Sequence, residues 1–294
     1  MKSLLFIYNP KAGKAGIVSC LSDVIDTMSR AGYEVTVYPT KCQGDGEVKA
    51  RECENVYDRI VCSGGDGTLD EIVTGIMFSG KKVPVGYIPA GSTNDFGRSL
   101  GIPKDMREAA RVSVGDNIFK CDIGKFNERY FVYVAAFGLF TDVTYETDQN
   151  LKNIFGYAAY LGEAVKRLHS IKPIPLKITY DNQVIADNFL VGMISNSDSV
   201  GGVSALTGPD VELDDGLFEV LLIKEPANVL EFNTIPPAIF DRRIKSDCVI
   251  TFRCSSINIL SDEPIPWTLD GEYGGTVSKV DIVDLHEEVE FVVP

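Results

Sequence analysis

The sequence predicts two domains, a mixed α/β domain with a mostly parallel sheet over residues 1–117 and a β-rich domain over residues 118–294. Strand and helix signals alternate along the first domain, an order typical of parallel sheets with helices on both faces. From about Ile118 short strand candidates follow one another, separated by turn formers such as Asp215-Gly216. This second pattern favours a sandwich or an open barrel.

The first domain contains four strand candidates, which are Leu4–Tyr8, Glu34–Tyr38, Arg59–Cys62 and Pro84–Ile88. Apolar residues at helical spacing predict helices between or after them, at Ile17–Ala31, Leu69–Ser79 and Asp105–Val114. Ligands of such sheets bind beyond the carboxyl ends of the strands. The three polar, glycine-rich segments 9–16, 63–68 and 89–97 follow strands, so we expect them to converge on one cleft.

The second domain contains a longer series of strand candidates and one helix candidate, Phe155–Leu168, which could line an apolar slot or face the core. The strand candidates are Phe119–Ile123, Arg129–Val134, Leu176–Tyr180, Val184–Ser195, Leu217–Ile223, Val249–Arg253, Ser256–Leu260, Val280–Val283 and Val289–Val293. We expect the active site in the cleft between the two domains.

Composition excludes several classes of protein. The chain has 294 residues, 45% hydrophobic and 24% charged, as in ordinary soluble globular proteins. A formal charge of −14 argues against a nucleic-acid partner and against bulk attraction to anionic lipid, so membrane contact needs a local basic or apolar patch. The apolar stretch Tyr130–Phe140 is too short to span a bilayer, and no signal-peptide cleavage region follows the first strand. We expect a cytoplasmic protein whose seven cysteines, none in a CxxC pair, are reduced.

The segment Ser63-Gly64-Gly65-Asp66-Gly67-Thr68 is the strongest chemical signal. It lies between a strand and a helix, where glycines allow the backbone to approach an anion and helix N–H groups attract phosphate. A carboxylate there would repel phosphate, so Asp66 indicates a magnesium ion between protein and nucleotide.

Two further loops are expected at the same edge of the sheet. Asn9 can hydrogen-bond a nucleotide or the neighbouring glycine loop, and Lys14 can neutralise phosphate. The alternative is a strand-to-helix turn with a solvated lysine. After the fourth strand, Ser92 and Thr93 carry hydroxyls suited to phosphate or nucleotide contact. The next two residues, Asn94-Asp95, could instead cap the following helix.

Two acidic segments occur in the second domain. If the segment 267–272 is extended, Asp270 and Glu272 point to the same face, and one of them can accept a hydroxyl proton. The alternative is an acidic hairpin turn, because Asp-Gly is a strong turn signal. The segment 212–217 suits a hard cation, with a plain Asp-Gly hairpin as its alternative.

Three motifs in this order and spacing resemble the bacterial soluble diacylglycerol kinase family. They are Gly64-Gly65-Asp66-Gly67-Thr68, Pro89-Ala90-Gly91-Ser92-Thr93-Asn94-Asp95-Phe96 and Leu269-Asp270-Gly271-Glu272. The family is related to sphingosine and ceramide kinases, and more remotely to NAD kinases and 6-phosphofructokinases. This sequence departs from it where Tyr133 replaces a common asparagine and where Ala90 and Ser92 replace the commoner leucine and threonine.

The resemblance implies a phosphofructokinase-like α/β domain, a C-terminal β-sandwich, and ATP with Mg²⁺ in the cleft between them. It implies a catalytic acidic pair, Asp270 and Glu272, and a structural magnesium held by the Asp215 carboxylate and the carbonyls of Glu212 and Leu217. The residues that it implies for nucleotide binding are Asn9, Thr40, Gly64, Gly65, Asp66, Gly67, Thr68, Ser92 and Thr93.

The resulting interpretation is an ATP- and Mg²⁺-dependent lipid kinase that phosphorylates a lipid hydroxyl, with diacylglycerol as the first candidate and phosphatidic acid as its product. The substrate would be met at the membrane surface by peripheral contact, without a transmembrane segment or a nucleic acid, and a homodimer is left open. The alternatives are a small-metabolite kinase of the NAD kinase type and a catalytically silent lipid- or nucleotide-binding protein.

Overall fold

The computed structural model describes residues 2–13, 16–52, 57–92, 94–138, 171–197, 211–241 and 243–294. The chain divides into two compact units. The first comprises Met1–Ile123 together with Leu285–Pro294, and the second comprises Gly124–Asp284. The first unit thus runs past the predicted boundary at residue 117 and also includes a C-terminal segment that we had placed in the second domain. The predicted helix 155–168 lies outside the described residues.

The first unit is built on parallel strands. The described strands are β1 (Lys2–Tyr8), β2 (Tyr33–Pro39), β3 (Arg59–Gly64), β4 (Val85–Pro89) and the start of β5 (Ile118–Phe126). The sheet order is β4-β3-β1-β2, and each neighbouring pair among these four is parallel. The described helices of this unit are α1 (Gly16–Arg30), α2 (Asp45–Arg51), α3 (Asp66–Ser79), α4 (Asp95–Ser99) and α5 (Met106–Ser113).

Burial explains why these segments form the centre of the sheet. All residues of β3 and β4 are buried, as expected for inner parallel strands covered on both faces. The edge strand β2 is more exposed.

Helix α5 begins where the Asp105 side chain accepts hydrogen bonds from the N–H groups of Arg107 and Glu108. At its end, the buried Arg59 guanidinium donates to the carbonyls of Ser113 and Gly115.

The C-terminal segment belongs to the first unit because several contacts hold it there. Phe291 pairs in parallel with Val85 of β4. The buried carboxylate of Asp122 accepts a hydrogen bond from the Glu287 N–H at 2.7 Å, and its Oδ1 lies 3.0 Å from His286 Nδ1. These contacts join residues more than 160 positions apart, which explains why sequence periodicity assigned the segment to the preceding β-rich domain.

The second unit is built on antiparallel strands. Its described strands are the end of β5, β6 (Arg129–Phe131), β7 (Val134–Phe137), β8 (Ile174–Tyr180), β9 (Gln183–Ser195), β10 (Phe218–Lys224), β11 (Val249–Cys254), β12 (Ser256–Leu269) and most of β13 (Glu272–Val292). The order is β11-β10-β9-β7-β12-β13, and β8 pairs with both β9 and β12. Two short helices, α6 (Val229–Phe232) and α7 (Ile235–Phe240), lie between β10 and β11.

The core of the second unit surrounds Trp267, which is fully buried and contacts the rings of Phe126 and Phe137 edge-on, at centroid distances of 5.1 and 5.0 Å.

Two strand predictions needed correction. The last two candidates, 280–283 and 289–293, are parts of the single strand β13, and the candidate 129–134 is interrupted at Val132 and Tyr133. In the described residues, no helix has the length and apolar composition that crossing a membrane requires.

Candidate active site

The residues predicted to bind nucleotide lie at the carboxyl ends of the four parallel strands of the first unit. Asn9 follows β1, Thr40 follows β2, and the glycine-rich segment begins at the end of β3. The strand ends are in register, because Tyr8 is paired with both Pro39 and Ser63 and Gly64 is paired with Pro89. The sheet therefore brings these loops to one edge, where α/β proteins bind their ligands.

Two glycine loops at this edge touch through their backbones. A Cβ atom added to Gly91 would lie 2.6 Å from the Cα of Gly65, so the contact requires glycine. The third loop approaches as closely, since a Cβ on Gly13 would lie 2.3 Å from the Ala90 carbonyl oxygen. Gly13 also has a φ of +54°, which glycine adopts without strain. The three loops form one continuous backbone surface.

Asp66 connects two of these loops. It is the first residue of α3, and its carboxylate accepts hydrogen bonds from the N–H groups of Asp95 and Phe96, at 3.3 and 3.4 Å. These N–H groups belong to the first turn of α4, so Asp66 caps a helix of the neighbouring loop. Both bonds are long, and a carboxylate oxygen has two lone pairs, so the group can also hold a metal-bound water.

Asn94 has a different role from the predicted cap. It occupies the N-cap position of α4 with a φ of +50°, but its side chain makes no cap hydrogen bond. Instead, Oδ1 accepts from the Gly91 N–H at 2.9 Å and Nδ2 donates to the Gly91 carbonyl at 2.8 Å. The buried Tyr87 hydroxyl donates to the Gly64 carbonyl at 3.1 Å and lies 3.3 Å from Asn94 Oδ1. Together these bonds fix the loop after β4 against the loop after β3.

The other predicted nucleotide contacts are placed as follows. Asn9 Nδ2 donates to the hydroxyl of Thr68 at 3.4 Å, which is the contact with the glycine loop that we had considered for Asn9. The Thr40 N–H donates to the Tyr8 carbonyl at 2.9 Å, so Thr40 continues the strand pairing and its side chain is partly exposed. Ser92 is exposed. Two predicted residues, Lys14 and Thr93, lie outside the described residues.

The acidic pair of the second unit lies on a hairpin, which is the second of the two alternatives that the sequence leaves open for the segment 267–272. Leu269 of β12 pairs with Glu272 of β13, and Asp270 and Gly271 form the two-residue turn between them. Both turn residues have positive φ, +50° and +86°, as the favoured Asp-Gly hairpin turn requires. The two acidic side chains therefore do not share a strand face. Asp270 is 4% exposed, whereas Glu272 is exposed.

Three backbone N–H groups hold the carboxylate of Asp270. Val132 donates to Oδ2 at 2.5 Å, and Tyr133 and Val134 donate to Oδ1 at 3.0 and 2.8 Å. The Tyr133 hydroxyl adds a bond to the Asp270 carbonyl at 3.1 Å. Hydrogen bonds to a carboxylate favour its ionised form. This cluster also explains the interruption of the predicted strand 129–134, because these N–H groups point to Asp270 instead of to a neighbouring strand.

The predicted magnesium turn contains an ion pair that sequence reasoning missed. The carboxylate of Asp215 accepts from the Leu217 N–H at 3.0 Å and from the Arg253 guanidinium. Arg253 also donates to the buried Glu219 at 3.1 Å. Burial raises the pKa of Glu219 to about 7, against the opposing effect of Arg253. A metal ion at Asp215 must therefore compete with Arg253, so the turn as it stands fits the ion poorly.

No short-range sequence signal indicates the Arg253 contacts, because Arg253 is 38 residues from Asp215 and 34 from Glu219. Glu212 is exposed, and the described residues contain no cluster of three or more His, Cys, Asp or Glu side chains placed to hold a metal ion.

Comparisons with known proteins agree with the motifs. Residues 3–126 match the family described as diacylglycerol kinase catalytic domain. Residues 134–284 match the family described as YegS C-terminal NAD kinase beta sandwich-like domain. The chain is thus a diacylglycerol kinase catalytic domain followed by a β-sandwich-like domain, as predicted in outline. The more detailed likeness to phosphofructokinase stays a prediction.

Individual relatives are similar over the full length. A diacylglycerol kinase from Staphylococcus haemolyticus is 40% identical over all of this chain and 88% of its own length. One from Bacillus subtilis is 33% identical, covering all of this chain and 97% of its own length. A solved structure described as a diacylglycerol kinase from Bacillus anthracis is 26% identical with a TM-score of 0.82, covering all of this chain and 97% of its own. The chain therefore belongs to the diacylglycerol kinase family and is a lipid kinase.

Proposed function

We propose that this lipid kinase transfers the γ-phosphoryl group of ATP to the free hydroxyl of diacylglycerol, giving phosphatidic acid. The observation that carries the proposal is the backbone contact between Gly65 and Gly91, which joins two glycine loops at the carboxyl edge of a parallel sheet. The names of relatives that are 33–40% identical support the choice of lipid. A metabolite kinase of the NAD kinase type lacks this support.

The nucleotide is proposed to bind along the joined loops. Helix α3 begins at Asp66, so the N–H groups of its first turn can attract phosphate oxygens together with the positive end of the helix dipole. The residues with proposed nucleotide contacts are Asn9, Thr40, Gly64, Gly65, Asp66, Gly67, Thr68, Ser92 and Thr93. Asn9 positions Thr68 by the hydrogen bond between their side chains.

Asp66 is the residue proposed to hold Mg²⁺, through water. Bound there, the ion would neutralise phosphate charge during transfer. Asp66 also caps α4, so its carboxylate has a fixed position whether or not a nucleotide is bound.

A second, structural magnesium is proposed at the turn of Glu212, Asp215 and Leu217. It requires Asp215 to exchange Arg253 for the ion, and calorimetric Mg²⁺ titration of wild type and Asp215→Asn tests it.

The proton acceptor is proposed to belong to the pair Asp270 and Glu272. The hydroxyl of a lipid is weakly acidic, so its proton is taken late, when bond formation to phosphorus acidifies the oxygen. The Asp270 carboxylate is held in position by three backbone N–H groups, while Glu272 lies beside it on the exposed side of the hairpin. We propose that residues of both units act on ATP and the lipid hydroxyl. We also propose that the protein is cytoplasmic and contacts the membrane transiently.

The deciding experiment incubates the purified protein and Mg²⁺ with radiolabelled ATP and a total lipid extract, followed by mass identification of the labelled product. We expect phosphatidic acid. Label in another lipid would replace diacylglycerol by that substrate. In a parallel incubation with NAD in place of the lipid extract, label in NAD together with none in any lipid would overturn the proposal. Asp66→Asn should remove transfer, because it removes the proposed metal contact. Near-normal turnover by that variant would refute the proposed role of Asp66.

A further inference from the structure

A buried tyrosine of β4 contacts both glycine loops at the place where they meet. Tyr87 is 1% exposed, and its hydroxyl donates to the Gly64 carbonyl at 3.1 Å. The same hydroxyl lies 3.3 Å from Asn94 Oδ1. Burial raises the pKa of Tyr87 well above its usual value, so the hydroxyl keeps its proton at neutral pH and remains a donor. Phenylalanine would fill the same space, so these two contacts are what the hydroxyl adds.

The ring of Tyr87 is held by its neighbours. A Cβ atom on Gly97 of α4 would lie 2.8 Å from Tyr87 Cε1, so the helix packs directly on the ring. On β3, the residue paired with Tyr87 is the fully buried Cys62. These contacts fix the ring, and the hydroxyl therefore has a set position relative to both loops.

The two oxygens that the hydroxyl contacts each have another donor. The Gly64 carbonyl also accepts from the Ala90 N–H at 2.8 Å, and Asn94 Oδ1 also accepts from the Gly91 N–H at 2.9 Å. Removing the hydroxyl thus leaves neither oxygen without a hydrogen bond, and the cost of an unpaired buried acceptor does not arise. The hydroxyl instead adds direction, because two donors on one carbonyl restrict the peptide plane more than one donor does.

The direction of the Gly64 carbonyl sets the direction of the next N–H group. The peptide between Gly64 and Gly65 is trans, and in a planar trans peptide the C=O and N–H bonds point in opposite directions. The carbonyl points toward β4 and the loop after it, so the Gly65 N–H points away from β4. In the sheet order β4-β3-β1, this is the side of β1. Asn9 follows β1 there and donates to Thr68.

We propose that Tyr87 is a positioning residue that directs the Gly65 N–H toward a phosphate of the bound nucleotide. Tyr87 acts through the peptide between Gly64 and Gly65 and does not touch the substrate. An N–H group that is already oriented binds phosphate oxygen more strongly, because no reorientation is needed when the ligand arrives. The inference rests on the proposed binding of ATP along the joined loops and adds the residue that orients one of its donors.

Tyr87→Phe tests the proposal, because it removes the hydroxyl and keeps the ring. We expect KM for ATP and the calorimetric Kd for ADP to rise roughly tenfold or more, since a misdirected N–H weakens a hydrogen bond to a charged group. The value of kcat should stay within about threefold of wild type, because the bond is made to ATP both before and during transfer. The melting temperature without nucleotide should match wild type, because both oxygens keep a donor.

Tyr33→Phe is the matched control. Tyr33 is a second buried tyrosine of the same sheet, 6% exposed, but it is the first residue of β2 and lies at the opposite end of the strands from the glycine loops. This variant should keep the wild-type KM for ATP and Kd for ADP. A purely structural hydroxyl at Tyr87 would give the reverse of the expected pattern, with a lower melting temperature and unchanged nucleotide affinity.

A second measurement observes the Gly65 N–H directly. In protein prepared with isotope-labelled glycine, the amide signal of Gly65 is identified by its absence from the spectrum of Gly65→Ala. Saturating ADP should move this signal in wild type and move it less far in Tyr87→Phe. The signal of Gly32, which lies in the turn before β2, should move in neither protein.

Equal ADP affinity of Tyr87→Phe and wild type would overturn the proposal. A Gly65 signal that stays in place while wild type binds ADP would do the same. Failure of the proposed function is distinguishable from both. Wild-type protein that binds neither ATP nor ADP refutes the proposed nucleotide site together with this inference, whereas wild-type protein that binds ADP and phosphorylates no lipid refutes only the proposed reaction.

Discussion

Replacing Asp270 with asparagine should destabilise the second unit, in addition to removing an acidic group proposed for catalysis. Three backbone N–H groups converge on the two carboxylate oxygens of Asp270. An amide offers one acceptor oxygen and one NH₂ donor. With its oxygen in the Oδ1 position, asparagine keeps the bonds from Tyr133 and Val134, but its NH₂ faces the N–H of Val132. In the flipped orientation it loses two bonds instead of one.

The size of the effect follows from these contacts. A buried N–H left without an acceptor costs about 1–3 kcal/mol, and each of the two remaining bonds loses about 1 kcal/mol when its acceptor is no longer charged. The sum is about 3 kcal/mol, since the chain relaxes in part. For a unit of this size, such a loss lowers the melting temperature by roughly 6–12 °C.

The assay uses the one tryptophan of the chain. Trp267 is fully buried on β12 of the second unit, three residues before Asp270, so its fluorescence during urea unfolding reports on this unit. The control is Asp262→Asn, the same substitution at an exposed position of the same strand, which should change stability by less than about 0.5 kcal/mol. Equal urea midpoints for the two variants would refute the three-bond arrangement.

This result bears on how catalysis is tested. A loss of activity in Asp270→Asn mixes a lost carboxylate with a weakened turn. Glu272→Gln changes an exposed side chain and should leave the urea midpoint near that of wild type. If the glutamine variant keeps its stability and loses transfer, Glu272 acts on the substrate. If it keeps both, the proton acceptor is Asp270.

Three further predictions follow from single contacts. Gly91→Ala would place a Cβ 2.6 Å from the Cα of Gly65, so we expect a stability loss of about 1–3 kcal/mol and weaker ATP binding. Both effects are measured from melting temperatures with and without nucleotide. The control is Gly65→Ala, whose nearest contact would be at 3.4 Å and which should lose less stability. Tyr133→Phe removes the hydroxyl bond to the Asp270 carbonyl and should cost about 1 kcal/mol at the urea midpoint. The pKa of Glu219, raised by burial from 4.5 to about 7, means that the folded state binds more protons than the unfolded state between these values. Stability should therefore fall as pH rises through that window, and melting in a chelator should show a smaller fall for Glu219→Gln.

The sequence was sufficient to predict the sheet of the first unit and the loops at its carboxyl edge. Those predictions depend on local signals, since fully buried strands appear as short apolar runs and glycines mark turns. Helix α3 and the strands before and after it were therefore found to within a few residues. The Asp-Gly turn signal at Asp270 was also present, and the hairpin it indicates is the structure that forms.

The contacts that define the candidate site could not be predicted in the same way. Asp66 caps a helix that begins 29 residues later, and Asp270 binds N–H groups 136 to 138 residues earlier. Which N–H faces a carboxylate depends on how loops from distant strands pack, and one sequence holds no periodic signal of that packing. The Arg253 pair with Asp215 is missed for the same reason, and it changes what a metal at this turn requires.

The path of β13 has a consequence for synthesis of the chain. Its last residues pair with β4 in the first unit, but they are translated only after the whole of Gly124–Asp284. At elongation rates of about 5–20 residues per second, these residues take on the order of 10–30 s to synthesise. During that interval the nascent first unit has β4 as an open sheet edge, which is a site for wrong pairing. Chaperone binding to the chain should therefore persist until residues 285–294 have been synthesised and have emerged from the ribosome.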